Sequence, residues 1–350
     1  MGLRGRERVA LGAIAAVTAG AGLARYAGAP ALLAFGLATL ALGGLAWIVS
    51  FATEEVGGRL GPAATGVLQS SLGNLPEFFV VVFALHAGKT VVAQTSIVGS
   101  IFANALLVLG LVIVAGARRS QDGVMRFRQR LPNDTATLLL LANFVIVLVG
   151  ISVASDDKAS HHVTAISIVA SGVLLVVYTS WLFSYLRSAP PAEHATQPHL
   201  STAVAGGLLL VGGAGSAFVS DWFVAALSPA MDRLHLSDAF AGLVVVAIAG
   251  NAVENAAGVV LAAKGQSDLA ISVVKNSVAQ VAVFLFPVLI LVSLVFKNTL
   301  TFALDPVYIG ALALTAIAVW QVTGDGEATL FEGVALIGLY AILASLTLFE

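Results

Sequence analysis

The chain has no cysteine, and only 10% of its residues are charged. The missing thiol rules out disulfides and thiolate metal centres. An ordinary soluble domain devotes about a quarter of its residues to Asp, Glu, Lys and Arg. A fold that meets water on every side is therefore excluded, because the polar side chains to cover it are absent. Seventeen Lys and Arg stand against nineteen Asp and Glu, for a formal net charge of −2. That balance leaves no basic footprint for nucleic acid. The glycines at 212, 213 and 215 follow no strand, so they do not make a nucleotide loop and mark close helix packing instead. Neither a nucleophile–base pair nor a zinc motif is present, so no enzyme and no cofactor are expected.

What is present is apolar: 59% of 350 residues, at a mean hydropathy of +0.98. Lipid must solvate most of such a chain. Runs of the roughly 17–25 residues needed to cross a bilayer fall near 9–26, 30–52, 62–86, 92–116, 134–154, 162–186, 201–225, 238–263, 269–296, 305–321 and 328–348. The pattern predicts an all-α polytopic membrane protein with about eleven transmembrane helices. Arg4, Arg6 and Arg8 before the first run resemble the start of a signal peptide. The run is long for a signal core, so a retained helix is expected.

Lys and Arg in short loops set orientation. Arg4, Arg6 and Arg8 put the N-terminus in the cytoplasm. Arg118, Arg119, Arg126, Arg128 and Arg130 return the loop after the fourth helix to the same side. The loop carrying Asp156, Asp157, His161 and His162 falls outside, and so does the C-terminus. His161 and His162 are adjacent and diverge on a helix, so a solvated loop end is expected rather than a metal pair. Asn133 and Asp134 are expected to cap the fifth helix, and Asp305-Pro306 to start the tenth. The Pro-rich stretch 188–200 reads as a cytoplasmic linker.

The chain contains an internal copy of itself. At a constant offset of 177, Gly73 pairs with Gly250, Asn74 with Asn251, Glu77 with Glu254, Gly88 with Gly265, Ser100 with Ser277 and Ala105 with Ala282. Five helices separate the copies, so the second runs in the opposite sense. Inverted repeats with a midplane site between them are a known transporter architecture. The expected organisation is an extra helix at 1–29, a first five-helix repeat at 30–187, the linker at 188–200, and a second, inverted repeat at 201–350.

Each copy sets a carboxylate and an amide in a hydrophobic run. Ionisable groups there are costly and mark functional sites. A single buried Glu can also be an interhelical hydrogen-bond post. Two in duplicated Gly-Asn-x-x-Glu windows argue for function. Gly73 and Gly250 weaken their helices, and Pro76 removes a backbone donor. Carbonyls so released are tolerated at membrane depth only where they line a cavity. Asn74 and Glu77, like Asn251 and Glu254, are three apart and share a helix face. Ser100 and Asn104 in one copy, and Ser277 and Gln280 in the other, are candidates to line the same cavity, although packing explains such residues nearly as well. The set is all oxygen, which suits Ca²⁺, with Glu77 and Glu254 as its metal ligands. With the cation gone, two like charges remain in a low-dielectric place, and protons take over the same oxygens. Competition of that kind is the chemistry of antiport.

The strings GNLPEFFVVVFALHAG and SIVGSIFANALLVLG, with GNAVENAAGVVLAAKG and NSVAQVAVFLFP, resemble the cation/proton exchanger (CAX) family of the Ca²⁺/cation antiporter superfamily. The resemblance implies Ca²⁺/H⁺ exchange with Glu77 and Glu254 as the cation- and proton-binding positions. It implies that the helices near 30–52 and 201–225 slide to gate access. Glu54 and Glu55 match an acidic pair at the inner mouth, and Asp221 an acidic position on the opposite side. Asn255 stands where the family usually has His, Asn276 where it has Gly, and Lys275 where an apolar residue is usual. Lys275 is expected to snorkel to the inner surface or to form a salt bridge. The acidic segment between the family's halves is missing here.

The expected function is a secondary antiporter that exchanges Ca²⁺ or a related cation for H⁺ in a prokaryotic plasma membrane. Its partners are the bilayer, Ca²⁺ and H⁺. The alternatives are Na⁺-coupled Ca²⁺ exchange, monovalent cation/H⁺ exchange, or a passive cation channel. Na⁺-dependent relatives tend to carry Thr-Ser beside the glutamate, which disfavours the first of these.

Overall fold

The computed structural model describes residues 3–60, 72–128, 130–188 and 198–350; the side chains of 57–60, 130–135, 185, 186, 188, 253 and 254 lie outside the description. The chain is a helical bundle. It opens with α1 (Gly5–Tyr26) and α2 (Ala31–Leu60), then a short α3 (Leu75–His86) and a long α4 (Thr90–Arg119). Helices α5 (Arg130–Ala154) and α6 (Val163–Ser188) complete the first half. The second half runs through α7 (Thr202–Leu234), α8 (Asp238–Gly250), α9 (Ala252–Ala263), α10 (Ser267–Ser293), α11 (Pro306–Thr323) and α12 (Leu330–Thr347).

Among the described residues nine helices are long and apolar enough to cross a membrane. The pair α8–α9, bent by 57°, makes a tenth span if counted as one. The span expected at 62–86 is described from residue 72 onward. The bundle's lateral surface carries exposed Leu210, Phe218, Val176 and Phe331, as lipid contact requires. In α4 and α10, 83% and 67% of the most apolar stretch is enclosed, against 11% in α1. The two helices that follow the glutamate windows are therefore central, and the extra helix is peripheral.

Close backbone approach builds that centre. A Cβ on Gly99 of α4 would lie 2.4 Å from the Leu243 carbonyl oxygen of α8, and one on Gly242 would lie 2.8 Å from the Val92 carbonyl oxygen. Small residues of this kind let membrane helices meet without a hydrophobic driving force. Gly212 and Gly215 of α7 lie against Ile48, Val49 and Leu45 of α2, with an added Cβ at 2.9–3.0 Å. These glycines mark close packing, as their sequence context suggested.

Several element boundaries follow the 177-residue offset of the sequence. Helices α3 and α9 begin and end 177 residues apart, and so do Gly88 and Gly265, with φ of 75° and 81°. Helices α4 and α10 begin 177 apart at Thr90 and Ser267, and both widen to a π-helical stretch, at Ala103–Val108 and Val281–Leu285. Single π turns recur at functional sites.

One expectation needs correction. Helix α5 starts at Arg130, so Asn133 and Asp134 fall inside it and are not its cap. One short sheet accompanies the helices. Strand β1 (Val124–Arg126) pairs antiparallel with β2 (Glu327–Thr329), joining loops of the two halves. Three-residue strands carry no readable period, and their partner lies some 200 residues away. Arg126 bridges Asp122 (2.7 Å) and Glu327 (3.2 Å) across this pair. The Arg126 hydrogen bond, with help from Ser120, holds the Asp122 carboxyl far below the usual carboxylate range. Asp305 and Pro306 start α11 as expected, and His161 and His162 sit exposed in a short 3₁₀ turn.

Candidate functional site

The break in each copy is local chemistry. Gly73 and Asn74 form a turn, with Asn74 at φ −92° and ψ 14°. Pro76 then occupies the first turn of α3, where its missing N–H costs nothing. The second break falls at Asn251, with φ −108° and ψ 10°, between α8 and α9. Glu77 follows the first break by one turn and is fully enclosed, both carboxylate oxygens included. A Cβ on Gly250 would sit 3.6 Å from the Glu77 Cβ, so the second break packs directly on the first copy's carboxylate. Glu254 lies in the first turn of α9, and its side chain is outside the described residues.

Two amide–hydroxyl bonds cross between the copies around this contact. Asn251 Nδ2 donates to Ser100 Oγ (2.9 Å) and to the Ala247 carbonyl (3.0 Å). Asn104 Nδ2 donates to Ser277 Oγ (3.0 Å). All four residues are buried. Asn74 is buried as well, and its Nδ2 has no hydrogen-bond partner among the described residues. The structure thus brings Glu77, Asn74, Asn251, Ser100, Ser277, Asn104 and Gly250 into one enclosed polar cluster. Gln280 and Asn255 are half-buried, and among the described residues no bond joins either to it.

A matching family pattern covers this geometry: that of the sodium/calcium exchanger protein family fits residues 30–186 and 204–349. The chain belongs to that family. A Ca²⁺/H⁺ antiporter of Synechocystis is 31% identical over 331 residues, covering 89% of each chain. A vacuolar calcium ion transporter of Schizosaccharomyces pombe is 31% identical over 322 residues, covering 88% of this chain and 77% of that one. The solved structure of native YfkE superposes with a TM-score of 0.81 at 24% identity, covering 96% of this chain and 98% of that one. At that identity the likeness concerns the fold. It agrees with an integral membrane exchanger.

The exchanger's remaining sequence candidates divide sharply. Glu54 is exposed at the end of α2, whereas Glu55 is buried and accepts the backbone N–H groups of His199 (3.0 Å) and Leu200 (2.9 Å). Asp221 is exposed on α7. Lys275 does not snorkel. It is 1% exposed, and Nζ donates to Thr323 Oγ1 of α11 at 2.5 Å. Thr323 donates onward to the Val319 carbonyl, so its oxygen is free to receive the ammonium. Ser220 of α7 was missed by the sequence reading. It is buried, and its hydroxyl lies 3.4 Å from the Pro76 carbonyl, one residue from Glu77. Nothing local flags a lone serine in a helix; only the packing of α7 on α3 does.

Proposed function

We propose that this exchanger is a secondary active antiporter that moves Ca²⁺ against H⁺ by alternating access at a site made by Glu77 and Glu254. The observation that carries the reading is the enclosure of Glu77 against Gly250, ringed by amide–hydroxyl bonds that join the two copies. The names of the relatives support the choice of ions. An enclosed carboxylate needs a neutralising partner. Ca²⁺ and protons are alternatives for that role on the same oxygens, so one leaves as the other enters. Asn74, Asn251, Ser100 and Ser277 supply hard oxygen ligands or hold them in place. No cofactor takes part.

In this reading the halves 30–187 and 201–350 are inverted five-helix repeats behind an extra helix at 1–29. The α2–α7 pair slides to open one side or the other. The basic loop at Arg118–Arg130 sets the N-terminus in the cytoplasm and the C-terminus outside, in a prokaryotic plasma membrane.

Purified protein in liposomes tests the assignment. Glu77→Gln and Glu254→Gln are each expected to abolish Ca²⁺ uptake driven by an imposed pH gradient. Undiminished uptake in both overturns the site. Uptake that follows a Na⁺ gradient without a pH gradient reassigns the coupling ion.

A further inference from the structure

Away from the cation site, a histidine bridges two carboxylates that come from different helices. His199 Nε2 lies 3.0 Å from Glu7 Oε1 of α1. His199 Nδ1 lies 2.8 Å from Glu55 Oε1 of α2, off the line of a hydrogen bond. The three side chains are 20%, 13% and 5% exposed, which makes the contact largely enclosed. Glu55 also accepts the backbone N–H groups of His199 and Leu200, just ahead of α7. Glu7 has one other tie, the Arg4 backbone N–H at 2.7 Å.

The chemistry of this arrangement depends on one proton. A neutral imidazole has a single N–H, and its other nitrogen presents a lone pair. With a carboxylate against each nitrogen, the neutral ring would set a lone pair against a negative charge at 3 Å or less. The imidazolium has a donor and positive charge on both sides. Histidine is the side chain that makes this exchange in the neutral pH range. Other groups at this end do not replace it. On α1, Arg8 turns its Nε to the Leu3 carbonyl, Arg6 is exposed, and Arg4, also exposed, adds its positive charge near Glu7 without reaching His199's Glu55 side. On α2, Glu54 is exposed, and the Phe51 ring lies 6.3 Å from the imidazole. The first turns of α7 from Thr202 carry no titratable side chain. The side chains of Arg59, Glu193 and His194 lie outside the described residues.

We propose that His199 is a proton-operated latch between α1 and the α2–α7 pair. With the proton, Glu7 and Glu55 are held on one ring. Without it, the ring's one remaining N–H stays at Nδ1 beside Glu55, which also keeps its two backbone hydrogen bonds and stays with α7, while Nε2 turns a lone pair to Glu7, so Glu7 is released and this end of α1 swings free. Helix α1 is peripheral, and at its other end Tyr26 stacks edge-on against Trp222 of α7 at 6.1 Å. The latched helix is therefore tied to the pair at both of its own ends. If the pair slides during exchange, the latch slows it, and this last step alone rests on the proposed antiport.

The absence of cysteine makes a distance measurement direct. Spin labels on Gly5→Cys and Ala203→Cys, both at open positions, report the gap between α1 and α7 in lipid vesicles. The expected result is one narrow distance at low pH that broadens and lengthens by ~5 Å, about one helical turn, as pH is raised, and that reverses on acidification. His199→Gln and Glu7→Gln are each expected to show the broad, long distribution at every pH. An unchanged distance between about pH 5 and pH 9 in the wild type overturns the latch, and so does a full transition in both variants. Ca²⁺ flux at a fixed pH difference is measured in parallel. Flux that is about fivefold less dependent on absolute pH in Glu7→Gln, the scale of one partly exposed ion pair, supports the link to sliding. A distance transition without Ca²⁺ flux keeps the latch and removes the antiport; flux without the transition does the reverse.

Discussion

In the first copy the helix breaks at Gly73-Asn74, and Pro76 follows in the next turn; in the second it breaks at Asn251, and Ala252 and Val253 follow. The backbones around the two breaks keep the 177-residue register, yet their side chains do different things. Asn251 holds Ser100 across the interface. The symmetric bond, Asn74 to Ser277, is not made. Asn104 takes Ser277 instead, and the Asn74 amide nitrogen is left over. At the position equivalent to Asn104 the second copy has Val281. A similar split occurs one turn earlier. Gly99 lets α4 touch the α8 backbone, while its equivalent, Asn276, carries an amide whose Oδ1 is buried with no hydrogen-bond partner among the described residues. Duplication fixed where the chain turns. Single substitutions in the following helix then decided which polar groups face one another.

Removing the feature the copies share has the largest expected effect. Glu77→Gln should lower pH-driven Ca²⁺ uptake by at least ~100-fold, since losing one partner of a buried charge pair costs about 3–5 kcal/mol. Flux assays on Glu77→Gln and Glu254→Gln measure whether the two copies contribute equally. A larger residual rate in one would sharpen the asymmetry.

Next come the glycine crossings. Gly99→Ala should lower stability by about 1–3 kcal/mol, because the new methyl meets backbone that cannot retreat. Asn276→Ala should raise it by about 1 kcal/mol, through loss of an unsatisfied buried oxygen. Thermal unfolding in detergent gives both values. Equal and opposite signs at equivalent positions would be the clearest measure of how far the copies have diverged.

Giving the first copy the second's residue is a milder change. Asn104→Val removes one buried hydrogen bond to Ser277. The KM for Ca²⁺ should rise about fivefold, the worth of ~1 kcal/mol, with kcat less affected. An unchanged KM would reduce Asn104 to packing.

The smallest effect is expected at the β1–β2 tie between the halves. Asp122 is held in its charged form by Arg126. A depressed carboxyl contributes stability that is present above the usual carboxylate range and is lost as pH falls through the depressed value. The protection factor of the Phe127 amide, which donates to the Gly326 carbonyl, should fall on acidification once the slower intrinsic exchange is divided out, while α4 and α10 keep theirs.

Much of this was legible without coordinates. The spans, the two breaks and the burial of Glu77 follow from apolar runs interrupted by Gly, Asn and Glu at a repeated spacing. The fate of Lys275 was not, because its Thr323 partner lies 48 residues away on another helix. Nor was the difference between Glu54 and Glu55, adjacent residues of which one faces outward and the other caps the approach to α7.

By itself the sequence determined that lipid is the solvent, where the two glutamate windows turn, and which carboxylates lie within apolar runs. Those properties depend on composition and local backbone chemistry, which travel with the chain. Only the tertiary structure decided that Asn104 rather than Asn74 holds Ser277, that Lys275 ends on Thr323, and that His199 joins Glu7 to Glu55. Hydrogen bonds at about 3 Å are set by the relative placement of helices, and pairs distant in the chain leave no local periodicity from which that placement can be read.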